Sequence, residues 1–328
     1  MLFMARSLRI EYPGAVYHVL NRGNYRTYIF SQEKAKQSFE DCLFNACTRY
    51  NWRLYAYCLL SNHYHIAIET SEGNLSMGMQ WLQSTFANRF NRAHLSHGHL
   101  FQGRFKSLVV ERDEYLGPLI HYIHLNPLRA NIVEKGAIET YRWSSLWYLF
   151  HKRKRFDFMA LEHGLYYAGN LSDTMKGRHA YLQHLLWLHS DGKAKRQLQS
   201  SKLCRGWALG SKQFKEKLVD QFLPVGQVGH LEGKDLAEAN EIRWNRILAK
   251  CLAVMEKDSR DIRTDKKSVH WKVLIALFMK DNTSVSNVWL TSHLNMGIPQ
   301  GVSRSTRKLA DSKGRKHRRY SEMLRITA

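Results

Sequence analysis

The chain is poor in the residues that build stapled frameworks. It holds five cysteines in 328 residues, Cys42, Cys47, Cys58, Cys204 and Cys251. The number is odd and no two form a Cys-x-x-Cys pair, which argues against a disulfide frame and a thiolate zinc site. The thiols are expected to be reduced and packed. No apolar run is long enough to span a bilayer. The opening Met1-Leu2-Phe3-Met4-Ala5-Arg6 is followed by no apolar core, so no signal peptide is expected, and the expected location is cytoplasmic. No phosphate-cradling glycine loop of the Walker type occurs, so no nucleotide cofactor is expected.

Acidic residues are also scarce: 28 Asp and Glu face 50 Lys and Arg, a net charge of +22. The excess is uneven. Residues 1–150 carry 16 basic and 11 acidic residues, a balance of +5, and the remainder carries +17. A polyanion is the matching partner. Nucleic acid fits better than a membrane, because no basic amphipathic helix with an aromatic face stands out.

Ala15 to Arg22 alternates apolar positions and reads as a strand. Ser31 could cap a helix running to about Arg49. Trp52 to Leu60 and His63 to Glu69 are strand-like on either side of Ser61-Asn62, a turn signal. Leu75 to about Arg92 has a helical stripe at Leu75, Met79, Leu82 and Phe86. Phe105 to Glu111 reads as a fourth strand. The order βαββαβ predicts an α+β fold: a four-stranded antiparallel sheet of ferredoxin-like type with helices on one face. A further helix from about Asp113 should end near Asn126, because Pro127 disfavours helical backbone before it.

Two patterns carry chemistry. Side chains alternate along a strand, so His63 and His65 point one way and Tyr64 the other. Two imidazoles on a rigid strand make half of a divalent-metal site; the ordinary alternative is two separate, satisfied histidines. On the following helix Tyr122 and Asn126 lie four apart and share a face. A phenol is a possible nucleophile and an amide oxygen a hard, neutral ligand. The ordinary alternatives are a core aromatic and a helix-end residue. Tyr115, seven residues before Tyr122, shares its face and is the rival nucleophile. His121 and His124 read best as surface or DNA-facing histidines.

Five separated stretches agree with one family: Pro13-Gly14-Ala15-Val16-Tyr17-His18-Val19-Leu20-Asn21-Arg22-Gly23-Asn24, then Asn62-His63-Tyr64-His65, then Gly98-His99-Leu100-Phe101-Gln102-Gly103-Arg104-Phe105-Lys106, then Tyr122-Ile123-His124-Leu125-Asn126-Pro127-Leu128-Arg129-Ala130, then Trp143-Ser144-Ser145. In this order they resemble the REP-associated tyrosine transposases, a branch of the single-tyrosine HUH transposases related to insertion sequence 200. The likeness covers about residues 5–150. Tyr64 satisfies loosely a position where the family pattern asks for a hydrophobic residue.

The resemblance implies a transposase-like enzyme that cleaves and rejoins single-stranded or hairpin DNA of the repetitive palindromic type. Tyr122 would form a 5′-phosphotyrosine link. His63, His65 and Asn126 would hold Mg²⁺ or Mn²⁺; ligand type alone leaves catalytic zinc open. The alternative is a DNA-binding regulator that keeps the fold without the chemistry. Classical mobile relatives are dimers and the REP-associated branch can be monomeric, so a monomer or homodimer is expected, in contact with the bacterial nucleoid.

The 98–106 stretch mixes glycine, aromatic and basic residues, which suits close approach, stacking and phosphate contact. Arg22, Arg104, Lys106 and Arg129 are the DNA-contact candidates there. The transposase domain is placed at 1–150 and a helical connecting region, entered through the basic run His151 to Arg155, at 151–233. In that region Leu161 to Ala168, Arg178 to Leu188 and Ser211 to Phe222 read as helices, with a loop at Leu223 to Gly229. An all-α domain is placed at 234–310. Within it Trp271 to Lys280, a Ser286-capped helix to Leu294, a turn over Asn295 to Gly301 and a basic helix over Val302 to Leu309 match a helix-turn-helix layout. Arg304, Arg307 and Lys308 are its DNA-contact candidates. Residues 311–328 are placed as a basic tail, and Lys313 to Arg319 within it is expected to be disordered and to track phosphates.

Overall fold

The computed structural model describes residues 9–198, 203–222, 231, 233–312 and 314–327. The expected loop over Leu223 to Gly229 and the opening residues lie outside them. The chain forms two compact units, one spanning Arg9–Ser211 and the other Lys212 onward. The first therefore runs well past 150 and takes in most of the expected connecting region.

The first unit is built on a sheet of β1 (Ala15–Arg22), β2 (Trp52–Leu59), β3 (His63–Thr70), β4 (Lys106–Val110) and β5 (Ala208–Leu209). The order is β2-β3-β1-β4-β5. The first four strands are antiparallel. β5 is an addition to the expected four and lies parallel to β4. Its distance in sequence and its two-residue length explain why no local pattern announces it.

Alternation divides the sheet residues between two layers. On one face Tyr64 meets Phe39 of α1 (Glu33–Arg49) at 4.7 Å between ring centroids, and Phe39 meets Phe86 of α2 (Leu75–Ala93) at 5.1 Å. These rings are wholly buried. The Phe, Tyr and Leu side chains here each contribute roughly 1.5–3 kcal/mol by leaving water. Ser31 does not cap α1; Gln32 precedes it without a side-chain cap.

The other face is covered by α3 (Arg112–Arg129), which packs on β2 and β3. The sheet is thus covered on both sides, not one. The helix also runs past its expected end at Asn126 and contains both Pro118 and Pro127. Each proline removes one intrahelical donor. Burial of Ile123, Leu125 and Leu128 keeps the last turn in place, and Ala130 still donates to the Asn126 carbonyl at 2.9 Å.

Beyond it come α4 (Ser145–Phe150), α5 (Glu162–Tyr167), α6 (Met175–Ser190) and α7 (Gly192–Gln197). His121 and His124 face this layer, not solvent. His124 bonds the Tyr181 hydroxyl and the Ser145 hydroxyl, each at 2.8 Å. Their position on the inner face of α3 makes them core residues and corrects the surface reading.

The second unit is helical among its described residues. Its core joins Ile247, Leu248 and Cys251 of the Gly233–Val254 helix to the His270–Asn282 helix, with Leu290, Leu294, Val302, Tyr320 and Met323. Ser286 caps the Asn287–His293 helix by accepting from Trp289 N–H, as expected. The next helix, Pro299–Asp311, starts earlier than its basic stripe. The stretch expected to be disordered, Lys313 to Arg319, instead holds a 3-10 turn at Gly314–Lys316 and the first residues of a helix over Arg318–Thr327, which buried Tyr320 and Met323 anchor.

Candidate active site

The pairing register assembles the site. Arg22 faces His63 across β1 and β3, and Leu20 faces His65. His18, two residues earlier on β1, therefore shares their face. β4 adds Lys106, opposite Leu20. Three rings meet: His63 and His65 lie 5.2 Å apart between centroids, and His18 and His65 also 5.2 Å. From α3, Tyr122 sets its ring edge-on to His65 at 5.5 Å and to His18 at 6.2 Å. Among the described residues no ring contact joins Tyr115 to either histidine. Asn126 lies one turn on from Tyr122 and is buried.

A segment far along the chain closes over this face. Leu203 presents its carbonyl to His18 Nδ1 at 2.8 Å. The Cys204 thiol donates to the Tyr122 hydroxyl at 3.3 Å. Arg129 donates to the Leu198 carbonyl at 2.7 Å and places its guanidinium 5.0 Å from the Tyr122 ring centroid. Tyr122 is consequently only 4% exposed.

Burial sets the protonation states. It pushes His18 down to about 4 and His65 well below the usual imidazole range, with the neighbouring His18 and His63 adding to the effect. His63 is lowered by burial and by Arg22. All three are neutral near pH 7, as metal ligation requires. Burial pushes the Tyr122 phenol well above its ordinary value, Cys204 adding to the effect while Arg129 opposes it. The Cys204 thiol is raised by burial too.

Among the described residues one donor set brings its ligand atoms together. His18, His65 and Cys204 bring their ligand atoms within 4.8 Å of one another. Within that set, however, His18 Nε2 and His65 Nδ1 already share a hydrogen bond of 3.0 Å, and the thiol is held protonated. The expected set, His63, His65 and Asn126, has two features that suit ligation. His63 Nδ1 bonds the Asn62 side-chain oxygen at 2.7 Å, which leaves Nε2 free of a proton. The Asn126 amide nitrogen is buried without a hydrogen-bond partner. Amide N and O are assigned from their bonding environment; exchanging them would put an oxygen acceptor at that orphaned place.

The expected DNA contacts divide. Arg22, Arg104, Arg304, Arg307 and Lys308 are exposed, while Lys106 and Arg129 are half-buried. Arg304, Arg307 and Lys308 line one shallow recess with Ser303 and Asp311. His18 and Cys204 were not among the expected site residues. Two-residue alternation along β1 could have put His18 on the Arg22 face; nothing local marks Cys204.

The fold and site define an α+β protein whose sheet presents paired histidines to a buried tyrosine. Residues 12–126, about a third of the chain, match the family model described as Transposase IS200 like. No curated protein matches the chain. Two solved structures are similar to parts of it. One is a REP-associated tyrosine transposase bound to a REP hairpin, 15% identical, aligned over 47% of this chain and 89% of that one with a TM-score of 0.37. The other is a protein from Deinococcus radiodurans R1 described as a transposase, 20% identical over 42% of this chain and 97% of that one, TM-score 0.27.

Proposed function

We propose that the chain cleaves and rejoins single-stranded or hairpin DNA through a phosphotyrosine link at Tyr122. The observation that carries this reading is the Tyr122 ring set edge-on against His65 at 5.5 Å, on the sheet face that also bears His63. His63, His65 and Asn126 would hold Mg²⁺ or Mn²⁺. When bound, such an ion polarises a phosphate oxygen and offsets charge as it develops.

The chain's own groups do the rest. The phenol oxygen attacks phosphorus, the P–O3′ bond breaks, and the leaving 3′ oxygen takes a proton to become a hydroxyl. The ester keeps the bond energy, so rejoining needs no nucleotide. Attack requires the phenol to lose its proton and its cover, so Cys204 must give way to the phosphate. Arg129, 5.0 Å from the ring, favours the phenolate. Arg22, Arg104 and Lys106 flank the same face or its rim and suit phosphate contact.

In the second unit, helix, turn and basic helix over residues 287–311 make a helix-turn-helix reader of duplex or hairpin DNA, with Arg304, Arg307 and Lys308 toward phosphate or base edges. A regulator without chemistry is the second reading, favoured by the covered phenol. The discriminating experiment is incubation with labelled single-stranded palindromic DNA and Mn²⁺, resolved on a denaturing gel. A covalent protein–DNA band is the expected result. Absence of that band on every palindromic strand tried, with DNA binding retained, would leave the regulator reading.

A further inference from the structure

His18 lies outside the ligand set proposed above, yet it is wholly buried beside it. Its two nitrogens are both engaged. Nδ1 faces the Leu203 carbonyl at 2.8 Å, and a carbonyl oxygen only accepts. The proton of a neutral His18 is therefore on Nδ1, and Nε2 carries a lone pair. That lone pair faces His65 Nδ1 at 3.0 Å, so His65 must donate from Nδ1. His65 is then left with a bare Nε2, the nitrogen available to a metal. One fixed acceptor, the Leu203 backbone, thus dictates two tautomers in series.

We infer that His18 is a positioning residue: it locks His65 in the Nδ1–H tautomer and in one ring orientation, and so prepares His65 Nε2 as a metal donor. The inference rests on the proposed metal site, but the tautomer itself can be read without metal or DNA. Metal-bound histidines commonly donate their second ring N–H to such a partner, and losing the partner typically weakens metal binding about 10- to 100-fold. The partner is usually a carboxylate or carbonyl. Here a second imidazole stands between, and the terminal carbonyl comes from residue 203, far beyond the matched segment 12–126. The segment that covers Tyr122 through Cys204 therefore also sets the donor state of His65.

The test begins on the unaltered, metal-free protein with nitrogen-detected imidazole NMR. Nδ1–H signatures are expected for both His18 and His65. An Nε2–H signature for His65 overturns the inference outright. Mn²⁺ calorimetry then compares two variants. His18→Phe keeps a ring but cannot accept, and should weaken Mn²⁺ binding about 10- to 100-fold while mixing the His65 tautomers. His18→Gln can accept from His65 through its side-chain oxygen and should recover most of that affinity and the Nδ1–H signature. Equal Mn²⁺ affinity for His18→Phe and the unaltered protein contradicts the inference. So does an equal loss in Cys204→Ser, because His18 and Cys204 would then be ligands themselves. If the unaltered protein binds no Mn²⁺, the proposed function fails, and the NMR result still decides the tautomer.

Discussion

The two units handle polar residues in opposite ways. In the Arg9–Ser211 unit the interior holds His18, His65, Glu40, His121, His124 and Asn126, most of them joined by hydrogen bonds to other buried groups. In the unit from Lys212 onward the buried polar side chains among the described residues are Lys272 and Thr306. Lys272 is satisfied by the Ile262 and Asp265 carbonyls at 2.8 and 2.9 Å; the rest of that core is apolar. Its charge sits outside, on Arg304, Arg307 and Lys308. Buried, satisfied polar groups fix geometry at a cost in desolvation. Exposed cations cost little and act by long-range attraction. The first pattern suits chemistry, the second suits holding a polyanion.

The contrast can be broken most severely at the histidine pair. His63→Ala together with His65→Ala should abolish Mn²⁺ binding in calorimetry, and the helical unit should be unaffected by circular dichroism. Unchanged affinity would remove the metal assignment. Next comes the buried carboxylate Glu40, which Arg142 grips through two bonds of 2.7 Å. Arg142→Ala leaves that charge with only the Tyr57 and Tyr148 hydroxyls. It should destabilise the first unit by about 3 kcal/mol, the low end for a broken buried pair because Arg142 is partly exposed. Denaturant unfolding measures it.

Acid sharpens the comparison further. His18 titrates at about 4, and His121 and His124 at about 3, in the folded protein. Unfolded, each would bind its proton near 6.5. The unfolded state takes up more protons in between, so stability falls as pH drops below about 6.5 and levels off below about 3. His18 alone accounts for roughly 3 kcal/mol of that loss. No histidine is buried among the described residues of the second unit. Its Asp265 carboxyl is held low by Trp271 and Asp281 by Arg315, so its own loss begins only below about pH 4. Unfolding followed at tyrosine signals of the first unit should therefore shift at milder acid. The smallest effect is on salt dependence: replacing Arg304, Arg307 and Lys308 by alanine should flatten the log–log slope of DNA affinity against salt by about 2 to 3. An unaltered slope would take the basic helix out of the DNA contact.

Much of the first unit could be read from the chain. Alternation gave β1 to β4, and helical stripes gave α1 and α2, because each signal lies within one element. The His63–His65 face followed from the same rule. What escaped was set by pairing between distant segments. His18 belongs to the site only because β1 lies beside β3, and Cys204 because the chain returns along β4. The length of α3 escaped because a proline weighs heavily in a local reading, while burial of its inner face outweighs the lost donor. The same burial hid the role of His124, whose partners Ser145 and Tyr181 lie 21 and 57 residues away. The Arg318–Thr327 helix escaped because two apolar anchors, Tyr320 and Met323, sit within a run of cations.

The most direct measurement is covalent capture with a suicide single-stranded palindromic substrate, comparing Tyr122→Phe with Tyr115→Phe on a denaturing gel. Phenylalanine keeps the ring against His65 and loses only the oxygen and its weak contact with Cys204, worth at most about 1 kcal/mol. The account predicts that Tyr122→Phe folds, binds Mn²⁺ and DNA, and forms no adduct, while Tyr115→Phe forms it at the unaltered level. An adduct that persists in Tyr122→Phe and vanishes in Tyr115→Phe would contradict the assignment of the nucleophile.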